Sequence, residues 1–344
     1  MLTNSGPLRS GVSTRRRALA GGVVGFLALA LAACSAGDTA QPSQSEASGE
    51  PIRVVVNYEP VINFTVMKLA QEKGFFEANG LDVELKDGGS GANAVSLMLN
   101  GQVNVVPTHL GVGITAVSEG IPIVVASGLT GEVDGEQGPT YSTLAAPGSG
   151  ISSFGDLGGK TVGIHSTSCC WAEFTARAAA AEGVDSSTIS FIQVPFANQL
   201  QALESGQVDA ITTVQPFITI GSADATVLGS TVLTALDSDD AIGAIALMSQ
   251  AFIDENPTVL EAWQKSIAEA AAYATENPDE MRALISAETG MDPALVASMP
   301  LSEWSATFSE AEYDAFVSFM VDSGVVSADK APTSDELVAP GVFG

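Results

Sequence analysis

Polar and aromatic side chains collect directly after the apolar runs that predict β-strands in this sequence. They carry amides, hydroxyls, a carboxylate, imidazole, phenol and indole groups, which bind small molecules by hydrogen bonding and stacking. Both histidines of the chain, His109 and His165, lie in such segments. The candidate binding residues are Asn57, Tyr58, Glu59, Asn63, Gly89, Ser90, Gly91, Thr108, His109, Ser166, Thr167, Ser168, Cys169, Trp171 and Gln215. Their placement predicts a binding site for a small molecule.

Each candidate also has an interpretation without a ligand. Tyr58 and Trp171 either stack on a ligand or pack in the core. Glu59 either selects an amine or amidine in a cleft or faces solvent in a chain with 40 acids. His109 is either a ligand contact or a structural histidine. The glycines of residues 89–91 either allow close approach of a ligand or make a tight turn.

Two adjacent cysteines, Cys169 and Cys170, belong to the same strand-end group. In an oxidising compartment they are either buried thiols or a vicinal disulfide that lines the cleft. A metal site with His165 has suitable atoms but lacks a second pair of ligands at a familiar spacing. We therefore expect neither a metal nor a cofactor.

Predicted strands and helices alternate twice along the chain, over residues 52–106 and again over 160–212, which indicates an α/β fold with parallel-type sheets. At a constant offset of 105, six of the 17 residues in the stretch 92–108 are identical to their counterparts. This internal repeat predicts two lobes of similar topology. We expect 51–142 to form the first part of lobe I, 143–240 to form lobe II, and 241–344 to return to lobe I with a strand and C-terminal helices.

In open α/β sheets, ligands bind beyond the carboxyl ends of the strands, where helix N-termini offer unpaired N–H groups. Two such lobes can direct both sets of strand ends at one cleft, which closes by a hinge when it is occupied. The strand-end residues are therefore expected to meet in that cleft.

Charge excludes one class of partner. All 40 acids follow residue 34, where only nine of the 13 bases lie, so residues 35–344 carry a formal charge of −31. Nothing in such a chain can replace the counterions of a phosphate backbone, which excludes nucleic acid. No base lies in the strand-end segments, which disfavours an anionic ligand because a desolvated anion recruits charged donors. Helix N-termini could still hold an anion through backbone N–H groups.

The N-terminus is typical of an export signal, predicted to span residues 1–33. Arg15, Arg16 and Arg17 precede a 16-residue apolar run, which is short for a membrane span. Cys34 follows Leu31-Ala32-Ala33, which resembles the lipobox of bacterial lipoproteins and implies lipidation; the alternative is an ordinary secretory signal with a chance cysteine. Residues 34–50 then form the lipidated cysteine and a flexible tether, because they offer nothing to a core. The protein is expected outside the cytoplasm, anchored by lipid to the bacterial cell membrane.

Several motifs carry a family resemblance over residues 52–285. They are Leu69-Ala70, Gly74-Phe75-Phe76, Gly80-Leu81-Asp82-Val83, Gly101-Gln102-Val103, Gly120-Ile121-Pro122, the run from Asp156 to Gly163, and the run from Ala202 to Ala210. Their ordered combination resembles the substrate-binding proteins of ABC transporters for nitrate, sulfonates, taurine and thiamine-pyrimidine precursors. The resemblance implies a type II periplasmic-binding-protein fold, a small-molecule ligand, and a permease and ATPase as partners. We expect a monomer.

This sequence departs from the family pattern at two positions. Asn104 stands where the family usually has Asp in its Gly-x-x-Asp motif, and Gln215 stands where Glu is common before proline. The segment from Asn57 to Pro60, with Asn63 after it, looks somewhat like the Trp-x-Pro-Asn segment of the pyrimidine-precursor binders.

The sequence favours a binding protein over an enzyme. It has no Gly-x-Ser-x-Gly elbow, no His-Glu-x-x-His and no Walker-type loop. The competing classes are an enzyme that uses His109, His165, Cys169 or Cys170, including an enzyme of pyrimidine-precursor metabolism, and a sensory ligand-binding subunit. The favoured ligand is a flat, neutral or weakly cationic nitrogen heterocycle of pyrimidine type. The alternative is a sulfonate, taurine or nitrate anion.

The lipidation hypothesis makes a direct prediction. The substitution Cys34→Ala removes the sulfur that would receive the acyl chain, so the variant is expected in the soluble fraction while the native protein sediments with membranes. Mass spectrometry of the mature N-terminus measures the modification itself. A native protein that carries no acyl chain on Cys34 would refute the anchor.

Overall fold

The computed structural model describes residues 50–88, 92–133, 138–167 and 170–344. All described elements belong to one unit, Ala47–Gly344. The predicted signal peptide, Cys34, nearly all of the tether, Gly89, Ser90, Gly91, Ser168 and Cys169 lie outside the described residues. None of the described helices is both long and apolar enough to cross a membrane.

The strands form two sheets. In chain order they are β1 (Ile52–Tyr58), β2 (Leu81–Asp87), β3 (Val105–Thr108), β4 (Ile123–Val133), β5 (Tyr141–Ala145), β6 (Thr161–Ile164), β7 (Ser190–Gln193), β8 (Ala210–Val214), β9 (Thr226–Ser230), β10 (Asp240–Ser249) and β11 (Glu303–Trp304). The first sheet has the order β11-β4-β10-β3-β1-β2, and the second has the order β7-β6-β8-β5-β9.

Helices connect and cover these strands. They are α1 (Thr65–Glu72), α2 (Phe75–Ala78), α3 (Ala92–Leu99), α4 (Leu110–Ser118), α5 (Trp171–Ala181), α6 (Phe196–Glu204), α7 (Phe217–Gly221), α8 (Thr231–Leu236), α9 (Gln250–Glu255), α10 (Val259–Glu276), α11 (Pro278–Thr289), α12 (Pro293–Ser298), α13 (Glu310–Asp322) and α14 (Ser334–Leu337). Short 3₁₀ turns occupy Ile62–Phe64, Phe154–Asp156 and Ser186–Thr188.

The predicted α/β fold is present, with one difference in strand direction. Strands β3-β1-β2 and β8-β6-β7 are parallel, as expected from alternating strands and helices. Strands β4, β5 and β10 run antiparallel to their neighbours, so both sheets are mixed. The expectation of parallel-type sheets omitted these strands because they belong to the connections between the lobes rather than to a repeating βαβ unit.

The internal repeat is visible in the topology. The order β3-β1-β2 of the first sheet matches the order β8-β6-β7 of the second. Gly101 and Gly206, which are 105 residues apart, both adopt positive φ angles of 68° and 71° after a helix, a conformation that favours glycine. The two lobes therefore repeat one strand and helix order.

A side-chain contact to the middle strand of each parallel group, β1 or β6, is also repeated. Asn104 Oδ1 accepts a hydrogen bond of 2.8 Å from the backbone N–H of Val55 in β1. Asp209, 105 residues later, accepts one of 2.7 Å from the backbone N–H of Thr161 in β6. The departure from Asp at position 104 therefore preserves the acceptor that this contact uses.

The chain crosses between the two sheets twice, and the lobe boundaries remain predictions. Strand β5 lies wholly in the second sheet and begins at Tyr141, whereas the predicted boundary separates residues 142 and 143. Strand β10 begins at Asp240 and returns the chain to the first sheet, where the boundary was expected between residues 240 and 241.

The C-terminal helices pack on the first sheet. Trp263 in α10 is fully buried, stacks on Phe76 at 5.2 Å between ring centroids, and donates a hydrogen bond of 3.0 Å from Nε1 to Ser127 Oγ. Phe316 in α13 is also fully buried, and α13 reaches beyond the first sheet, because the Phe316 ring centroid lies 5.4 Å from that of Phe174 in α5 of the second lobe. The apolar faces of α10 and α13 therefore pack in the core, as the helical spacing of their apolar residues predicts.

Candidate ligand-binding site

A small cavity lies where the carboxyl ends of the two sheets meet. Its volume is about 70 Å³. From the first sheet and its helices it is lined by Glu59, Val61, Asn63, Phe64, Pro107, Thr108, His109, Val112 and Ala244. From the second sheet and its helices it is lined by Tyr141, His165, Ser166, Trp171, Phe196 and Val214. Both lobes thus contribute residues to one site.

Aromatic rings form much of the cavity wall. Trp171 is the first residue of α5 and is only 9% exposed. Its ring centroid lies 5.9 Å from that of Tyr141, 6.1 Å from His109 and 5.8 Å from Phe196. These rings offer flat faces and edges on which a planar ligand can stack.

His165 is held against one of these rings. Its imidazole is parallel to the ring of Phe196, with centroids 3.9 Å apart and planes inclined by 4°. Burial lowers the pKa of His165 to about 4, because the charged imidazolium loses solvation there. His165 is therefore neutral at pH 7 and does not supply positive charge to the cavity.

His109 connects the cavity to the first turn of α5. It is the N-cap residue of α4, and its Nδ1 lies 3.5 Å from the Sγ atom of the buried Cys170. Since Cys169 lies outside the described residues, the choice between thiols and a vicinal disulfide remains a prediction. The described residues contain no group of three His, Cys, Asp or Glu side chains that could hold a metal ion.

A hydrogen bond joins the two lobes across the cavity. Asn63 Nδ2 donates to the phenol oxygen of Tyr141 over 2.7 Å. Burial, together with the nearby charge of Glu132, raises the pKa of the Tyr141 phenol, so this group stays protonated at neutral pH. Asn63 Oδ1 is buried and has no hydrogen-bond partner among the described residues.

The charged lining is limited to one acid. Glu59 contributes a carboxylate, and burial raises its pKa because the ionised form is poorly solvated there. No Lys or Arg is present among the described residues that line the cavity. The site is therefore aromatic and apolar, with a carboxylate, amide, hydroxyl and neutral imidazole groups as its polar contacts.

The structure brings together only some of the sequence-predicted residues. Those that line the cavity are Glu59, Asn63, Thr108, His109, Ser166 and Trp171. Those described but outside its lining are Asn57, Tyr58, Thr167 and Gln215. Those outside the described residues are Gly89, Ser90, Gly91, Ser168 and Cys169.

Three of the residues outside the lining pack elsewhere. The Tyr58 ring is buried, and its phenol donates a hydrogen bond of 3.3 Å to Glu288 Oε2. Tyr58 therefore packs in the core, which is the second of its two interpretations. Asn57 packs against Gly88, where an added Cβ would lie 1.9 Å from Asn57 Oδ1. Gln215 accepts hydrogen bonds from the backbone and hydroxyl of Thr219 and donates to Pro139 O over 3.2 Å.

Sequence reasoning missed several cavity residues. Tyr141 begins an antiparallel strand, so the rule that parallel strands present ligand contacts at their carboxyl ends does not select it. Phe64 directly precedes α1 and Phe196 is the first residue of α6, and both resemble ordinary core residues. A signal was present for Phe196, because it is the third residue after the end of β7, at the same sheet edge as His165.

The low pKa of His165 predicts acid sensitivity. The pKa of His165 is near 6.5 in the unfolded chain and about 4 in the folded protein. The free energy of unfolding that this difference contributes is therefore complete above pH 6.5 and is lost as the pH falls towards 4. The loss amounts to roughly 3 kcal/mol over the whole interval. Urea unfolding of the native protein and of His165→Gln at pH 7, 5.5 and 4.5 should show a shallower decline for the variant. Parallel declines would contradict this role.

Comparisons with known proteins agree with this architecture. A family model described as NMT1/THI5 like matches residues 61–281. No curated protein sequence matches the chain. A structure from Bordetella bronchiseptica RB50 is 20% identical, with 86% of this chain and 96% of that one covered and a TM-score of 0.69.

Two further structures are of proteins named for the ligands that they bind. The alkanesulfonate-binding protein SsuA from Xanthomonas axonopodis pv. citri, bound to MOPS, is 15% identical, covers 85% of this chain and 100% of its own, and has a TM-score of 0.68. The periplasmic nitrate-binding protein NrtA from Synechocystis PCC 6803 is 14% identical, covers 84% of this chain and 86% of its own, and has a TM-score of 0.68. With the family model spanning more than half of the sequence, this chain belongs to the NMT1/THI5-like family and has the type II periplasmic-binding-protein fold.

Proposed function

We propose that this protein is the solute-binding component of an ABC importer, which captures a small molecule outside the cytoplasm and delivers it to a permease and its ATPase. The observation that carries the proposal is the cavity that residues of both sheets line together. Family membership and the shared fold support it, since the similar structures include proteins named for sulfonate and nitrate binding. The proposed anchor on Cys34 would keep the protein at the membrane.

The proposed ligand is a flat, neutral or weakly cationic nitrogen heterocycle of pyrimidine type. Trp171 and Tyr141 offer stacking surfaces at a separation of 5.9 Å between their centroids. Glu59 can accept a hydrogen bond from a ring N–H or an exocyclic amino group, and an ionised carboxylate does so more strongly than a neutral acceptor. Thr108, Ser166 and His109 supply further polar contacts at the same cavity.

The main alternative is a small anion. Two helices, α4 and α5, begin at the cavity beside His109 and Trp171, and their first N–H groups could receive negative charge. Against this alternative stand the carboxylate of Glu59 and the lack of a base among the described lining residues. An anion there would be desolvated beside a negative group without a compensating cation, which costs free energy.

An enzymatic role is the second alternative. The approach of Cys170 Sγ to His109 Nδ1 at 3.5 Å places a sulfur and an imidazole beside the cavity. A thiolate–imidazole pair is the arrangement that activates a nucleophile. Mass spectrometry of each bound compound after prolonged incubation distinguishes turnover from binding.

A thermal-shift panel tests the ligand class. The panel comprises 4-amino-5-hydroxymethyl-2-methylpyrimidine, simple aminopyrimidines, alkylamines, taurine, alkanesulfonates and nitrate. A true ligand at a hundredfold excess over its Kd stabilises the folded state by about 2.7 kcal/mol, so the melting temperature should rise with the aminopyrimidines. Micromolar binding confined to sulfonates or nitrate would contradict the heterocycle proposal and support the anion alternative.

Two variants test the site itself with any aminopyrimidine that binds. Glu59→Gln should weaken binding by about tenfold, because a charge-assisted hydrogen bond becomes a neutral one. Glu77→Gln removes an exposed acid on α2 and serves as the matched control, with binding expected to stay unchanged. Trp171→Ala should also weaken binding through lost stacking. Native affinity in both Glu59→Gln and Trp171→Ala would show that these compounds bind elsewhere.

A further inference from the structure

A buried carboxylate lies at the crossings between the two sheets, outside the cavity lining. Glu132 is the penultimate residue of β4 and is only 1% exposed. It forms no ion pair with a Lys or Arg in the part of the chain that the structure describes. An ionisable group without a charged partner is costly to bury, so its hydrogen bonds must account for its presence.

This carboxylate accepts hydrogen bonds from two backbone N–H groups and two hydroxyl groups. The backbone N–H of Thr140 donates to both oxygens over 3.2 Å, and the Thr140 hydroxyl donates to Oε2. The backbone N–H of Tyr141 donates to Oε1 over 3.3 Å, and the Ser230 hydroxyl donates to the same oxygen over 2.9 Å. A carboxylate accepts all of these bonds, whereas a glutamine would direct its own N–H groups at backbone donors.

These contacts hold both connections between the sheets. Thr140 and Tyr141 stand where the chain enters the second sheet in β5. Ser230 ends β9 and caps α8, which leads back to β10 in the first sheet. The Glu132 side chain therefore joins β4, from which the chain leaves the first sheet, to two places in the second sheet. These are the start of β5, where the chain enters that sheet, and the end of β9, where it leaves.

The same contacts reach the cavity through Tyr141. Its backbone N–H is bound by Glu132, while its ring lines the cavity and its phenol accepts the 2.7 Å hydrogen bond from Asn63 of the other lobe. We propose that Glu132 is a positioning residue for ligand binding: it fixes the interlobe crossing so that the Tyr141 ring is held in the cavity against Asn63. Its relevance to a ligand rests on the proposed function, but the positioning itself does not.

Fluorine NMR of the ligand-free protein labelled with 3-fluorotyrosine tests this role. The chain has four tyrosines, and Tyr141→Phe identifies the resonance of Tyr141. In Glu132→Gln we expect the Tyr141 resonance to shift or broaden. The resonances of Tyr273 and Tyr313, whose phenols bond to Glu280 and to the backbone of Pro332 rather than to the Glu132 contacts, should stay in place. The matched control Glu303→Gln changes an exposed acid on the adjacent strand β11 and should leave Tyr141 unchanged.

A second variant covers the case in which Glu132→Gln does not fold. Ser230→Ala removes one donor to the carboxylate without altering Tyr141, and we expect a smaller displacement of the Tyr141 resonance. An unchanged Tyr141 resonance in whichever of these variants folds, or an equal displacement in Glu303→Gln, would overturn the proposal. The NMR experiment uses no ligand. A failure of the ligand panel therefore does not affect the conclusion about Glu132, and an unchanged Tyr141 resonance does not affect the conclusion from the panel.

Discussion

Two parallel strand groups end at the same small cavity, and most other features of the fold serve that convergence. A parallel strand group presents its carboxyl end to one side, where the chain turns into a helix and leaves backbone N–H groups and short polar side chains exposed. Bringing two such ends together requires the chain to cross between sheets and return. Strands β4, β5 and β10 make these crossings, which explains why the antiparallel strands lie beside the parallel ones in both sheets.

The electrostatics of the cavity differ from those of the chain around it. Residues 35–344 carry a formal charge of −31, yet the described lining contains one acid and no base. Burial favours neutral forms there, as the low pKa of His165 and the raised pKa of Glu59 both indicate. Recognition in such a site depends on shape, stacking and a few hydrogen bonds more than on net charge.

The sequence predicted the strands and helices well where periodicity and glycine turns were strong. The repeat at an offset of 105 indicated two lobes, and strand ends located Glu59, Thr108, His109, Ser166 and Trp171 in the cavity. It did not distinguish Tyr58, which points to Glu288, from Tyr141, which points to Asn63. Alternation along a strand assigns side chains to two faces. Which face meets the other lobe depends on tertiary contacts between residues that are dozens of positions apart in the sequence. For the same reason Glu132 carried no sequence signal, because its partners are spread over residues 140–230.

The paired contacts of Asn104 and Asp209 bear on how far such a repeat can diverge. Asn104 accepts a hydrogen bond from the backbone of β1 with an amide oxygen, and Asp209 accepts one from the backbone of β6 with a carboxylate oxygen. Because the backbone donor requires only an oxygen at that place, the charge is free to change while the strand keeps its register. The two halves can therefore drift apart in electrostatic character, and acquire different surfaces, without losing the alignment of their strand ends on a common solute.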